Sequence, residues 1–161
     1  MVKYNKLVLP VLKWVGGKRQ LLPEIRKYIP DKFSTYYEPF VGGGAVLFDV
    51  QPKKAVINDI NSELINLYEV IRSNVEELIK ELGKYENTAD CFYETRALDR
   101  TASIYNSLSN VERAARIHYL NKTCYNGLFR VNNAGQFNAP FGRYKNPNIT
   151  NEITLRAVSK Y

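Results

Sequence analysis

Short apolar runs, separated by polar and glycine-rich positions, dominate the first third of the chain. Leucine and isoleucine recur at helical spacing over residues 17–29 and predict a helix, in which Pro23 is tolerable only near the start. Residues 35–40 predict a buried strand, residues 45–50 a short helix, and residues 54–58 a second strand. This order, with a glycine turn after the first strand, predicts the opening of a parallel α/β sheet.

From residue 61 to residue 121 the apolar positions follow helical spacing only. Asn61, and then Ser73 or Asn74, are suited to begin helices, and Ser109 with Glu112 has the sequence of a capping box. The predicted helices cover 61–72, 73–83, 90–107 (as one helix or two) and 109–121. This all-helical stretch differs in architecture from residues 1–60.

Residues 122–148 form a polar stretch that is rich in asparagine, glycine and aromatic side chains. Asn126-Gly127 and the Asn-Asn-x-Gly sequence at 132–135 are typical of hairpin turns. A loop of this length is usually functional or disordered, and the interleaved aromatic residues argue against disorder. Residues 150–161 predict the beginning of a further helix.

The formal net charge of +7 is unevenly distributed along the chain. Residues 1–23 carry five Lys or Arg and residues 113–151 carry six, and neither segment contains an acid. The acids concentrate between residues 59 and 112. A one-sided basic surface is typical of a protein that contacts nucleic acid, although a solvated basic face has the same composition.

Cysteine and histidine usage gives no sign of a metal site. Cys91 and Cys124 are far apart and predict reduced core thiols, and His118 is the only histidine and falls in a helical pattern. No apolar run is long enough to be a signal peptide or to span a membrane. We therefore expect a cytoplasmic protein without a metal and without a membrane partner.

The candidate chemistry begins with three consecutive glycines at 42–44, preceded by Glu38 and followed one strand later by Asp59. Glycine lets backbone approach a ligand closely, and an acid after the second strand is where nucleoside-binding α/β folds read ribose hydroxyls. A dinucleotide fingerprint is incomplete because Leu47 stands where its third glycine belongs. Glu38 would repel a pyrophosphate but suits an ammonium group, so the pattern favours an aminoacyl nucleoside.

A second group of residues lies at 13–18 and has the sequence Lys-Trp-Val-Gly-Gly-Lys. A phosphate-binding loop is excluded by the spacing and by Arg19, which stands where Ser or Thr is required. The glycines leave backbone amides accessible, and together with Lys18 these amides could bind a carboxylate. The structural alternative is a loop in which Trp14 is simply packed.

A third group extends over residues 121–130 and 141–145. Arginine can donate two hydrogen bonds to guanine, asparagine can pair with adenine, and an apolar side chain can enter a base step that a flipped nucleotide has left. By itself the third group is a moderate indication of contact with nucleic acid.

Five segments together resemble the DNA adenine-N6 methyltransferases of the Dam/DpnM type, the D12 class. They are Lys-Trp-Val-Gly-Gly-Lys at 13–18, Glu-Pro-Phe-Val-Gly-Gly-Gly at 38–44, Asn-Asp-Ile-Asn at 58–61, Tyr-Asn-Gly-Leu-Phe-Arg at 125–130 and Phe-Gly-Arg-Tyr-Lys at 141–145. The resemblance implies an α/β fold, with part of a Rossmann-like S-adenosylmethionine-dependent methyltransferase sheet and an inserted helical target-recognition domain. The implied divisions are 1–60 for the cofactor domain, 61–146 for target recognition and 147–161 for the return toward the cofactor domain.

The resemblance also implies ligands and site residues. S-adenosylmethionine is the implied cofactor, with Trp14, Gly16, Gly17, Lys18, Glu38, Pro39, Phe40, Gly42, Gly44 and Asp59 as its contacts. Double-stranded DNA is the implied partner, methylated at the adenine of GATC, with Lys13, Tyr125, Asn126, Leu128, Arg130 and Arg143 as its contacts. Whether the protein serves a restriction–modification system stays open.

The chain departs from the family pattern at the catalytic motif, because it contains no Asp-Pro-Pro-Tyr. We therefore expect an N-terminal part of a methyltransferase that is inactive alone, binds the cofactor weakly, and can self-associate through an exposed sheet edge. The alternative is a non-catalytic DNA-binding module. An ATPase or an oxidoreductase is disfavoured by the incomplete phosphate motifs.

Overall fold

The computed structural model describes residues 4–161, so that Met1–Lys3, the start of the predicted cofactor domain, lie outside it. Within this range the protein is a mixed α/β structure with two short strands, β1 (Tyr36–Glu38) and β2 (Ala55–Ile57). The α-helices are α1 (Leu22–Ile25), α2 (Ala45–Val50), α3 (Ser62–Ser73), α4 (Val75–Leu82), α5 (Ala89–Ala97), α6 (Ala102–Ser107), α7 (Asn110–Thr123) and α8 (Glu152–Lys160). Turns of 3-10 helix occupy Lys18–Leu21, Arg26–Tyr28, Leu98–Arg100 and Tyr125–Gly127.

The predicted parallel pairing is confirmed: β1 and β2 run parallel, with Glu38 opposite Ile57, and α2 connects them. Both strands are shorter than predicted. The prediction of a buried strand over 35–40 is wrong for its centre, because 68% of Tyr37 is exposed, whereas Glu38 is buried. The sheet therefore presents a largely uncovered face.

The single helix predicted over 17–29 is wrong. This segment divides into a 3-10 turn, α1 and a second 3-10 turn. Pro23 stands in the first turn of α1, where a backbone N–H makes no intrahelical hydrogen bond, so its absence costs nothing. In a helix that began at residue 18, the backbone N–H of position 23 would have to donate such a bond. The proline therefore restarts the helix and prevents its continuation.

The helical predictions after residue 60 are confirmed, with small shifts at the ends. Asn61 caps α3 by accepting the Leu64 N–H at 3.0 Å, and Ser109 and Glu112 form the predicted capping box of α7. Asn74 precedes α4 but makes no side-chain cap. Helix α7 continues two residues beyond the predicted end and is the most deeply buried element of the chain.

One continuous hydrophobic core joins the helical part to the first third of the chain. Leu64 and Leu67 of α3, Leu120 of α7 and Leu155 of α8 are fully buried, and the same core includes Val41 beside the glycine turn. Helix α8 also reaches the sheet region, where the Tyr161 hydroxyl donates to the Pro52 carbonyl at 3.0 Å. The division at residues 60 and 146 stays a prediction, and this core crosses it.

A buried ion-pair network fixes the long loop after α7. Arg116 is 5% exposed, and its guanidinium lies 2.8 Å from the Asp99 carboxylate, which also accepts the Phe137 N–H at 2.7 Å. Arg100 donates to the Phe137 carbonyl, and Arg96 donates to the Ala139 carbonyl. Charged groups of the helical part therefore hold the loop in place, a contribution that the sequence pattern did not predict.

The hairpin signals in this loop give two different turns. The Asn-Asn-x-Gly sequence forms the predicted hairpin, because the Gly135 N–H donates to the Asn132 carbonyl and Val131 pairs with Phe137. Asn126 and Gly127 both have positive φ and make a tight turn, but the chain around them pairs with residues 140–142. The Asn-Gly turn therefore redirects the chain without forming its own hairpin.

The side chain of Asn121, near the end of α7, holds two distant segments together. Its Oδ1 accepts the Lys13 N–H at 3.0 Å, and its Nδ2 donates to the Lys13 carbonyl at 2.8 Å and to the Gly127 carbonyl at 3.1 Å. Asn121 is 2% exposed, so water cannot replace these bonds. We call this set of three hydrogen bonds the Asn121 clamp.

Replacing Asn121 with alanine should lower the free energy of unfolding by about 3 kcal/mol, because three backbone groups would lose their partner in a buried position. Urea unfolding of the chain measures this change. Asn66→Ala is the matched control, since Asn66 makes one exposed hydrogen bond, to the Asn110 carbonyl. Equal destabilisation by the two variants would contradict a structural role for the clamp.

His118 of α7 is fully buried and neutral. Its Nε2 lies 2.9 Å from the Ile149 carbonyl and must donate, and its Nδ1 has no hydrogen-bond partner within residues 4–161. Burial, with a smaller effect of Lys122, lowers the pKa of His118 from 6.5 to about 3. A proton on Nδ1 would add a charge and an unsatisfied donor to the core.

The unfolded chain binds a proton at this histidine below pH 6.5, and the folded chain does so only near pH 3. The free energy of unfolding should therefore fall as the pH falls from 6.5, by at most about 1.4 kcal/mol per pH unit. His118→Gln keeps the donor to Ile149 and should flatten the dependence between about pH 7 and about pH 5, above most carboxylate titrations. Urea unfolding across this range provides the measurement, and an unchanged slope would exclude His118 as its origin.

Candidate functional site

A cavity of about 980 Å³ lies between the segment around Trp14, the glycine turn and Asp59. Most of the residues that the sequence assigned to a cofactor line it: Trp14, Gly16, Gly17, Lys18, Phe40, Gly42 and Asp59. Glu38, Pro39 and Gly44 do not line the cavity, although Glu38 contacts Lys18 in its wall. The structure thus brings the segment at 13–18, the glycine turn and Asp59 after β2 to one cavity.

Two constraints require glycine in the glycine turn: the close packing of Trp14 and the positive φ angles of the backbone. A Cβ atom on Gly42 would stand 3.0 Å from Trp14 Cδ1, and one on Gly43 would stand 3.2 Å from Trp14 Cβ. Gly42 and Gly44 also have φ values of +51° and +74°, which glycine adopts readily. The indole therefore packs directly on the turn, at a distance that only glycine allows.

Asp59 joins the turn to the start of α3. Its Oδ2 accepts the Gly42 N–H at 2.9 Å, and its Oδ1 accepts the Asn61 N–H at 3.0 Å. Each carboxylate oxygen can accept a further hydrogen bond. The carboxylate shapes the cavity and keeps acceptor capacity toward it.

The buried carboxylate of Glu38 is compensated by two neighbours. Lys18 Nζ lies 3.4 Å from Oε1 and 2.8 Å from the Phe40 carbonyl, and the Tyr36 hydroxyl donates to Oε2 at 2.9 Å. Burial, followed by this contact with Glu38, raises the pKa of Tyr36 well above its usual range. The sequence assigned Glu38 to an ammonium group and Lys18 to a carboxylate, and in the structure the two side chains pair with each other.

Lys122 is not among the contacts predicted from the sequence, but it lines the cavity from the last turn of α7. Burial, with the charge of Lys13 as the lesser cause, lowers the pKa of Lys122. One sequence signal could have indicated that Lys122 points inward: it lies four residues after His118 and therefore on the same face of the helix. The cavity wall therefore includes a cation from the helical part of the chain.

The residues assigned to DNA lie on neighbouring segments. Lys13, Tyr125, Asn126, Arg130 and Arg143 are exposed, and Leu128 is half-buried. The segments meet through backbone hydrogen bonds from Tyr125 to Pro140 and from Gly142 to Thr123, both 2.8 Å long, and through the Lys13 side chain, which packs against Gly127.

The arginines of this region differ in their availability. Arg113 pairs with Glu63 and Arg116 with Asp99, so these two of the six cations between residues 113 and 151 are engaged internally. Arg130 donates to Asn138 across the hairpin. Arg143 has a φ of +53°, and its guanidinium has no hydrogen bond or ion pair within residues 4–161. Arg143 is therefore available to an external anion.

The described residues offer neither a metal cluster nor a membrane-spanning helix. No cluster of three or more His, Cys, Asp or Glu side chains in residues 4–161 could hold a metal ion. None of the helices in that range combines the length and apolarity needed to cross a membrane.

Comparison with known proteins agrees with the motifs around the cavity. The profile of the D12 class N6 adenine-specific DNA methyltransferase family matches residues 14–161. The chain is 48% identical to the type II methyltransferase M1.LlaDCHI of Lactococcus lactis subsp. cremoris, over all of the chain and 57% of the relative. It is 43% identical to the type II methyltransferase M.MjaIII of Methanocaldococcus jannaschii, over 95% of the chain and 58% of the relative.

A further relative is the DNA adenine methylase of Escherichia coli (strain K12), which is 40% identical over 84% of the chain and 48% of the relative. The chain thus spans about half the length of these relatives. The profile match extends over nearly the whole chain and includes Trp14, the glycine turn, Asp59 and the loop after α7. The chain belongs to the D12 class of N6 adenine-specific DNA methyltransferases.

Proposed function

We propose that this chain supplies the cofactor pocket and the DNA-contacting loop of an S-adenosylmethionine-dependent DNA adenine-N6 methyltransferase. The observation that carries the proposal is the convergence of Trp14, the glycine turn and Asp59 on one cavity. Family membership supports the reaction class, and the exposed loop after α7 supports a nucleic-acid substrate. The proposed target is the adenine of GATC in double-stranded DNA.

The residues present fit an aminoacyl nucleoside. The cavity volume of about 980 Å³ lies at the upper end of the usual range for small-molecule pockets. Asp59 has acceptor capacity for ribose hydroxyls, and Lys18 in the cavity wall suits a carboxylate. Glu38 contacts Lys18 without lining the cavity, and on this proposal it exchanges Lys18 for the ammonium group of the ligand. A Cβ atom at Gly16 would meet no atom within 4 Å, so the wall is open there. S-adenosylmethionine, when bound, would supply the methyl group on its sulfonium.

The proposed architecture is a partial Rossmann-like sheet with an inserted helical target-recognition domain over 61–146. The parallel pairing of β1 and β2 supports the sheet, and the helices α3 to α7 support a separate helical unit. Lys122 of that unit reaches the cavity wall. On this proposal the pocket and the recognition domain share a boundary rather than standing apart.

The chain is proposed to bind its ligands without transferring the methyl group. Adenine N6 is a weak nucleophile, because its lone pair is delocalised into the ring, and it needs acceptors for its hydrogens and in-line placement. In the family pattern the Asp-Pro-Pro-Tyr motif provides these groups, and this sequence does not contain it. No residue of the chain is therefore assigned a catalytic role.

A second candidate is a non-catalytic DNA-binding module. The free guanidinium of Arg143 in an exposed loop, together with the missing Asp-Pro-Pro-Tyr motif, favours it. The two candidates differ in the cofactor, because a DNA-binding module needs no S-adenosylmethionine. Cofactor affinity therefore separates them.

Isothermal titration should detect S-adenosylmethionine binding to this chain in preference to ATP and NAD. Glu38→Gln removes the carboxylate proposed to exchange Lys18 for the ammonium group and should weaken S-adenosylmethionine binding by about 10- to 100-fold. Methylthioadenosine, which lacks the amino acid part, is the matched ligand and should bind both forms equally. Absence of S-adenosylmethionine binding, with duplex binding retained, would favour the second candidate.

Replacing Arg143 with alanine should weaken binding to a GATC duplex by about 5- to 100-fold and lower the salt dependence by about one phosphate equivalent. Lys80→Ala removes the same charge from an exposed position on α4 and is the matched control. Fluorescence anisotropy at two salt concentrations measures both effects. An equal loss in the two variants would attribute the effect of Arg143 to net charge alone.

A further inference from the structure

Phe129 connects the loop after α7 to the wall of the cavity. Its ring stacks on the indole of Trp14, with centroids 4.8 Å apart and planes inclined by 22°. The indole also packs against Gly42 and Gly43, where only hydrogen atoms leave room for it. Trp14 is thus held between the glycine turn and one side chain of the loop.

Phe129 has free space next to it. It lines a second cavity, of about 240 Å³, together with Phe137, Tyr105 and Arg116. Its ring also meets the edge of the Phe137 ring at a centroid distance of 5.8 Å. This cavity is partly open to solvent, so the ring has room on this side that a close-packed interior would not leave.

The backbone of Phe129 is shared with residues proposed to contact DNA. Leu128 precedes it and Arg130 follows it, and the Asn121 clamp fixes the chain just before them at Gly127. A duplex that engages Leu128 or Arg130 must therefore set the position of Phe129. The ring stack is the direct side-chain contact between this part of the loop and Trp14.

We propose that Phe129 is a positioning residue that couples occupancy of the DNA-contacting loop to the S-adenosylmethionine pocket. This inference rests on the proposed function. A duplex that fixes Phe129 on Trp14 also fixes the indole against the glycine turn, so the cofactor loses less freedom on binding. The coupling is reciprocal, so that each ligand raises the affinity for the other by about 2- to 10-fold, the range that one aromatic contact supports.

The first test needs no ligand, because Trp14 is the only tryptophan of the chain and reports on the stack directly. Phe129→Leu keeps an apolar side chain without a ring, and it should shift the emission of Trp14 and increase its quenching by acrylamide. Phe129→Tyr keeps the ring and should restore the wild-type signal. Phe33→Leu is the matched control, since Phe33 lies against Tyr36 and does not stack on Trp14. Unchanged emission in Phe129→Leu would overturn the inference.

The second test measures the S-adenosylmethionine affinity of each form with and without a saturating GATC duplex. Wild type, Phe129→Tyr and Phe33→Leu should show the 2- to 10-fold gain, and Phe129→Leu should bind both ligands without it. If wild type binds both ligands with no gain, or if Phe129→Leu keeps the gain, the coupling is refuted while the proposed function stands. If wild type binds neither ligand, both fail. Where Phe129→Leu does not fold, the wild-type measurement can still refute the proposal, because a wild type that binds both ligands without a gain has no coupling for Phe129 to carry.

Discussion

The arrangement of this protein depends on the buried amide of Asn121. It joins residues 108 positions apart in the chain, because its two polar atoms satisfy both the donor and the acceptor of Lys13. Its third hydrogen bond, to Gly127, anchors the beginning of the loop that carries the candidate DNA contacts. A side chain with only a donor or only an acceptor could not make this set of bonds. The amide therefore sets where the cavity wall and the loop meet.

The cavity itself is built by compensating polar groups within an apolar setting. Glu38 is buried beside the sheet, and Lys18 and the Tyr36 hydroxyl supply the cation and the donor that a buried carboxylate requires. The carboxylate of Asp59 at the glycine turn is compensated without a cation, because the backbone N–H groups of Gly42 and Asn61 donate to it. The protein itself therefore compensates the two carboxylates of this region.

Much of the fold was accessible from the sequence, and the two failed predictions have different causes. The caps at Asn61 and Ser109 were predicted correctly, because a capping hydrogen bond involves residues three positions apart. The helix predicted over 17–29 failed, because the pattern of leucine and isoleucine outweighed the restriction that Pro23 imposes. The buried strand failed at Tyr37, because burial depends on what covers a strand, and periodicity does not report that.

The sequence by itself determined the local elements, the glycine turn and the family, since each depends on residues that are close in the chain or on their identity. Only the tertiary structure decided that Lys18 pairs with Glu38, that Arg116 turns inward to Asp99, and that Phe129 stacks on Trp14. These contacts join segments that meet only when the common core closes around α7. The path of the folded chain determines which residues meet in these contacts, and no short stretch of sequence specifies that path.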